Sequence, residues 1–412
     1  MDKNTKIKNR KKSKFSKSSL KKNKKTKKIK SSLQTKDTKK LVQNLITLFK
    51  ENEFNNNLLK EVKYFSKDKI GKSGANIGFI NYKNKPCIIK IFKKKKATMK
   101  INYYKDCIKI NFDLNELIIN YILNNIELFI SSKHLVEYKK KKFQENIVKN
   151  ELYKITDKNI LIINEKIGIK LKDNYITNLK ELLIFDYIPY INKLIKTSNL
   201  KDLNEFQTTF SKILNNWFDV QLFLSERFNI VNTDSKCANI FIRKTSKSSK
   251  LNYINNVKLL FSDLDKSRYK INNTTILCSD NIKANILTYT KFKNIYNFRY
   301  VCKNKADFCD HFKEYHFDRL ILIFDIYIYL CKNVYFMNKK LFKNIDDFFD
   351  KFKILNNTFK NALDLNEQQF KIFKELLAKS SIISKKRSQK VSYHINLLIY
   401  SYCKKLTRKK KY

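Results

Sequence analysis

Ile230-Val231-Asn232-Thr233-Asp234-Ser235-Lys236-Cys237-Ala238-Asn239-Ile240-Phe241 sets a carboxylate between apolar runs, with a lysine two residues on and an asparagine five residues on. The flanks read as buried and the middle as a polar loop. Such a loop can bring three functions to one point. Asp234 can accept a hydroxyl proton, Lys236 can steady a transferring phosphoryl group, and Asn239 can offer an amide oxygen to Mg2+. A second segment of this kind follows. Val257-Lys258-Leu259-Leu260-Phe261 reads as a buried strand and leads into Ser262-Asp263-Leu264-Asp265. Asp263 emerges from apolar surroundings, where an unpaired carboxylate is costly, so it calls for a cation or a donor. A second Mg2+ ligand meets that need.

Upstream, glycine carries the signal. The chain has four glycines, and Gly71, Gly74 and Gly78 fall within eight positions. A sequence that otherwise avoids glycine has gathered it in one turn, where backbone N–H groups can close on a bulky anion. Twelve residues beyond Gly78, Lys90 ends the apolar strand Cys87-Ile88-Ile89-Lys90. A buried ammonium needs anionic company, and α- and β-phosphates would supply it. An acid on the next helix should orient the lysine; Glu116 fits best and Glu127 second.

Taken in chain order, these four pieces resemble the protein-kinase set: the Gly-rich loop, the V-A-I-K lysine, the H-R-D-x-x-x-x-N loop and the D-F-G segment. The resemblance runs from about Ile70 to Leu330. It implies an α+β, bilobal fold, with a small β-rich N-lobe over 41–167, a larger helical C-lobe over 168–400, and ATP with Mg2+ between them. It implies that Gly71, Gly74 and Gly78 cover the phosphates, that Ile80 and Ile88 line the cofactor site, and that Lys90 with Glu116 anchors the cofactor. A hinge at Asn164-Glu165-Lys166-Ile167 would bring Glu165 and Ile167 to the cofactor; Phe185-Asp186-Tyr187-Ile188 is the second hinge candidate. Asp234 and Lys236 take the catalytic roles, and Asn239 and Asp263 hold metal. Phe317-Asp318, opening an apolar helix, resembles the family's buried helix-F aspartate. The chain is most similar in flavour to serine/threonine kinases of large nucleocytoplasmic DNA viruses, of poxvirus or giant-virus type. The grounds are D-L-D in place of D-F-G, a Lys/Asn/Ile-rich composition and a short C-lobe. The implied activity is transfer of the ATP γ-phosphate to a protein hydroxyl, inside a cell or a virion.

The chain also departs from that set. Its glycines are spaced G-x-x-G-x-x-x-G, Asn232-Thr233 stands where the family has His-Arg, and Asp265 stands where it has glycine. The only prolines are Pro86 and Pro189, so the A-P-E platform for peptide substrates is absent. Aminoglycoside- and choline-kinase-like enzymes share the aspartate–asparagine spacing and a D-x-D metal segment, which makes a small-molecule phosphotransferase the enzyme alternative. Lys236 favours the protein kinase. A pseudokinase or a basic nucleic-acid-binding protein is the non-enzyme alternative. Cys302, Cys309, His311 and His316 are spaced C-x6-C-x-H-x4-H, which is not a standard zinc finger, and helix-core positions explain them better.

Composition sets the outer limits. Among 412 residues, 88 Lys and Arg stand against 37 Asp and Glu, a net charge of +51 that favours anionic partners. Residues 1–40 hold 18 Lys and Arg against two Asp and almost nothing apolar, so a disordered arm is expected. That arm suits salt-dependent contact with nucleic acid or a virion component, and 401–412 reads as a second basic tail. Eight scattered cysteines with no C-x-x-C pair suggest a reducing compartment. The start lacks an apolar h-region, and Leu320–Cys331 is too short to span a bilayer. The spacing predicts helices over Leu41–Phe54, Phe112–Phe129 and 200–228, strands around Ile70–Ile91, at His134–Tyr138 and at Ile160–Ile167, and mostly helix beyond 290.

Overall fold

The computed structural model describes residues 33, 35, 37–65, 75–94, 99, 101–103, 107–171, 174–232, 235–245, 257–264, 267–272, 274–278, 314–368, 370, 371, 373 and 374. The basic arm up to residue 32, the tail at 401–412, Gly71, Gly74, Asp234 and Asp265 lie outside the described residues. So do Cys302, Cys309, His311 and the side chain of His316.

The described chain starts with helix α1 (Thr38–Glu51), where Leu41, Val42, Leu45, Ile46 and Phe49 recur at helical spacing and are buried. The Asp37 carboxylate caps it, accepting from Lys39 N at 2.9 Å and Lys40 N at 3.3 Å. The helix therefore begins within the charged stretch expected to be a tail. Strands β1 (Lys63–Tyr64), β2 (Asn76–Tyr82) and β3 (Lys85–Lys93) follow. Lys83 and Asn84 turn β2 into β3 with φ of 52° and 62°, the doubly left-handed geometry that matches strand twist. Strands β4 (Asn102–Tyr103) and β5 (Cys107–Ile110) lead into helix α2 (Phe112–Asn124).

Helix α3 (Ser132–Lys140) replaces the strand expected at His134–Tyr138. His134-Leu135-Val136-Glu137-Tyr138 is too short to tell a period of two from a helical one. Only Tyr138 of the helix is buried, against the rings of Phe143 and Phe223. Strands β6 (Asn150–Ile155) and β7 (Asn159–Glu165) complete a five-stranded antiparallel sheet of order β1-β2-β3-β7-β6. The expected strand at Ile160–Ile167 thus ends at Glu165.

Beyond a small ribbon, β8 (Ile169–Leu171) with β9 (Asn174–Ile176), the chain turns helical. Helix α4 (Leu179–Leu182) runs through a wider turn at Leu183–Tyr187 into α5 (Ile188–Lys196). The second hinge candidate, Phe185–Ile188, is therefore helix and not a hinge. Helix α6 (Leu200–Phe228) is as long as its periodicity predicts and ends at Asn229, φ 49°. Its Trp217 is buried and stacks on Phe261 at 5.0 Å.

Short strands then alternate with loops: β10 (Val231–Asn232), β11 (Phe241–Lys244), β12 (Val257–Leu260), β13 (Ser267–Ile271) and β14 (Thr274–Cys278). A second five-stranded sheet has the order β10-β13-β14-β5-β4, with β14 and β5 parallel. Nothing in the local sequence pattern announces this union of distant segments. Helix α7 (Glu314–Leu330), α8 (Ile345–Lys351) and α9 (Lys353–Ala362) close the described fold. Buried Arg319 ties three helices together, donating to Gln221 Oε1 at 2.8 Å, Phe218 O at 2.8 Å and Ala362 O at 2.7 Å. The architecture is mixed α+β. Among the described residues, no helix is long and apolar enough to cross a membrane.

Candidate active site

Strand alternation gives the first sheet two faces. Cys87, Ile89 and Ile91 join Ile80, Tyr82, Val62, Leu161 and Ile163 in a small core on one of them. Lys90 therefore points to the other face, together with Ile88 and Phe92. There it meets α2. Asn111 starts this helix by accepting from Asp113 N at 3.3 Å, and Leu114, Leu117 and Ile118 bury its apolar side. Glu116 is on the buried side too, 2% exposed. Lys90 Nζ donates to Glu116 Oε1 at 2.7 Å and to Asp263 Oδ1 at 3.2 Å. A lysine, a helix carboxylate and a carboxylate from far down the chain thus share one point. The acid that Lys90 meets on the helix is Glu116, not Glu127.

The electrostatics follow from burial. Burial pushes the Glu116 carboxyl up, the Lys90 ammonium opposes the rise, and the Asp263 carboxylate adds to it. Two carboxylates meet the Lys90 ammonium at this point. Asp263 is the more open of the two, its side chain 28% exposed against 3% for Glu116. It adopts φ 52°, a left-handed backbone uncommon outside glycine and frequent at functional sites. Asn239 lies close by: Ser262 Oγ, next to Asp263, donates to Asn239 O at 2.9 Å. A carboxylate and an amide oxygen are the donor types that Mg2+ takes, so the residues present fit that metal.

The polar loop is held from below. Asn232 N donates to Asp318 Oδ2 at 2.7 Å, and Cys237 N donates to Asp325 Oδ2 at 2.8 Å. Both aspartates are on α7 and buried, 2% and 5% exposed. Lys236 O accepts from Asn239 N at 2.8 Å, closing a single turn at Cys237–Asn239. In the sequence, Asp325 shows only as an interruption of the apolar stretch Leu320–Cys331. The signal that could have exposed its role is its separation from Asp318: seven residues, two helical turns, one face.

Other expected residues sit differently. Gly78 lies in β2 opposite Tyr64. A Cβ on it would come within 2.5 Å of Val62 Cγ1 and 2.9 Å of the Lys63 carbonyl oxygen, so the close approach of β1 accounts for this glycine. Ile80 does not line the Lys90 face. It packs with Ile89 on the far side, and Ile77 and Phe79, paired with Lys90 and Ile88, take its place. The Glu165 side chain is taken up by Lys149 N at 2.7 Å and by an ion pair with Arg243. Ile167 is buried against Val148 and Leu260, and its carbonyl accepts from Tyr175 Oη at 2.9 Å. Lys166 beside it reaches over the rings of Phe79 and Tyr175 at 5.0 and 4.9 Å.

No protein-family model matches the chain, and no curated protein matches it.

Proposed function

We propose that this chain is an ATP- and Mg2+-dependent phosphotransferase with a bilobal, protein-kinase-like fold, acting on serine or threonine hydroxyls of a protein. One observation carries the reading. Buried Lys90 bonds at once to Glu116 at 2.7 Å and to Asp263 at 3.2 Å, partners 26 and 173 residues away. A lysine placed between a fixed helix acid and a more open loop acid can hand its ammonium to a polyphosphate without leaving Glu116. Support comes from the antiparallel sheet β1-β2-β3-β7-β6 with α2 in the connection from β3 to β6, and from Asp318, which accepts from Asn232 N, two residues before Asp234 in the sequence.

In this reading Lys90 orients the α- and β-phosphates and Glu116 orients Lys90. Asp234 accepts the proton of the attacking hydroxyl, and Lys236 balances charge on the moving phosphoryl group. Asn239 and Asp263 would hold Mg2+, which when bound neutralises charge on the phosphate oxygens. Most of the rate then comes from positioning and electrostatics. The test is incubation of the full chain with γ-labelled ATP and Mg2+, with basic proteins in one arm and small alcohols in the other. Label on serine or threonine of the protein, lost in Asp234→Ala, is the expected result. Label on the alcohol alone moves the substrate class to small molecules. No label in either arm, or label unchanged in Asp234→Ala, rejects the assignment.

A further inference from the structure

An aspartate in the middle of a buried helix is expensive. A carboxylate removed from water costs several kcal/mol unless charge or hydrogen bonds compensate, and an apolar residue would pack a helix core without that cost. Helix α7 keeps two, at Asp318 and Asp325, and spends both on backbone amides of one short segment. The amides belong to Asn232 and Cys237, so they flank Asp234. Asp318 meets the entry to the loop, where β10 pairs with β13. Asp325 meets its exit, and the exit carries the side chains whose placement matters.

Cys237 opens the turn that ends in Asn239. Lys236 precedes that turn and closes it through its carbonyl oxygen. Asn239 is tied through its own carbonyl oxygen to Ser262, one residue before Asp263. Fixing the Cys237 amide therefore fixes Lys236 on one side and the Asn239 amide on the other. The surroundings agree: burial raises the Asp325 carboxyl, while the Cys237 amide and thiol, then Lys236 and Lys180, oppose that rise.

We propose that Asp325 is a positioning residue for phosphoryl transfer: its buried carboxylate, by holding the Cys237 amide, sets where Lys236 and Asn239 stand. The proposal rests on the phosphotransferase reading above and deepens it. The Asp325–Cys237 bond takes no part in the chemistry. It acts through residues that do.

The experiment compares full-length wild type, Asp325→Leu and Asp325→Asn. Leucine removes the acceptor and the buried charge together but leaves the buried Cys237 N–H without its partner, which is destabilising, so folding of this variant is checked first. Asparagine keeps an oxygen that can accept from Cys237 N–H. With Asp325→Leu, kcat should fall about 10–100-fold, the range for residues that orient metal ligands. KM for ATP should change less than about threefold and half-saturation by Mg2+ should rise severalfold, since Asn239 loses its place. Amide exchange should speed up over 236–240 and stay unchanged over 85–93. Asp325→Asn should recover kcat to within about threefold of wild type, which a merely structural role would not require. A folded Asp325→Leu with wild-type kcat and Mg2+ dependence overturns the proposal, as does unchanged exchange over 236–240. If Asp325→Leu fails to fold, Asp325→Asn decides: kcat and Mg2+ dependence near wild type support the proposal, and a loss of kcat beyond tenfold overturns it. Wild type that neither binds ATP nor transfers phosphate brings down the phosphotransferase reading and this proposal with it. Active wild type alongside equally active Asp325→Leu removes only the proposal.

Discussion

The sheet β1-β2-β3-β7-β6 draws on one stretch of chain, Lys63 to Glu165, and every pairing in it is antiparallel. The sheet β10-β13-β14-β5-β4 joins a strand pair before α2 to strands from beyond α6, and its seam, β14 on β5, is parallel. The first sheet presents Lys90. The second fastens the chain just after Asp263 to the strand just before Glu116, and Asn115 Nδ2 adds a bond to Ser267 O at 2.8 Å. One sheet supplies the cation, then, and the other fixes the spacing of its two acids. The contrast shows that the site depends on a long-range pairing as much as on the hairpins that carry its lysine.

The largest expected effect comes from emptying the point where the two sheets meet. Lys90→Ala leaves Glu116 buried without its ammonium, which should cost about 3–5 kcal/mol in chemical denaturation. Phosphoryl transfer should drop by about 10²–10³-fold in the surviving folded protein. Next come paired truncations, one in each sheet. Ile163→Ala, on the face turned away from α2, and Ile276→Ala remove side chains that are both fully buried, and each should cost about 2–5 kcal/mol. Only Ile276→Ala, opposite Ile108 in the parallel seam, should raise amide exchange in α2 and over 267–271. Equal exchange in the two variants would erase the distinction between the sheets.

A smaller effect sharpens the picture of the first sheet. Lys83 and Asn84 both turn with positive φ, a conformation that suits Asn-Gly better than Lys-Asn. Replacing Lys83 by Asn together with Asn84 by Gly should raise the thermal midpoint, a gain of about 1 kcal/mol. The smallest effect lies where Lys258 of β12 pairs with Glu145. The Lys258 hydrogen bond holds the Glu145 carboxyl below its ordinary value. Its contribution is therefore complete above the unfolded carboxyl value of about 4.3 and is lost as pH falls through the lower folded value. Glu145→Gln should flatten that part of the acid-unfolding curve by less than about 1 kcal/mol, because the pair is partly solvated.

Legibility in the sequence followed the distance over which each interaction acts. Helix α6 could be read residue by residue because its apolar stripe repeats for seven turns, and strands around Ile70–Ile91 because an Asn-Lys connection interrupts two apolar runs; the structure sets the turn itself at Lys83-Asn84. The need of Lys90 for an acid followed from burial alone, and α2 offered Glu116. At His134–Tyr138 five residues are too few to separate the two periods, and tertiary contact with Tyr138 settled the matter as helix. For Ile80, strand alternation decides: it pairs with Cys87, on the face opposite Lys90. The parallel seam has no local pattern at all, and the seven-residue spacing of Asp318 and Asp325 marks one helix face without naming Cys237, since each contact joins segments that only the folded chain brings together.

The most direct test of the three-residue cluster is calorimetric titration of the full chain with ATP, with and without Mg2+, for wild type, Lys90→Ala and Asp263→Asn. Wild type should bind saturably and only with Mg2+, and either substitution should weaken binding at least about tenfold, ~1.4 kcal/mol. Wild type that does not bind, or three proteins that bind alike whether or not Mg2+ is present, would contradict the account.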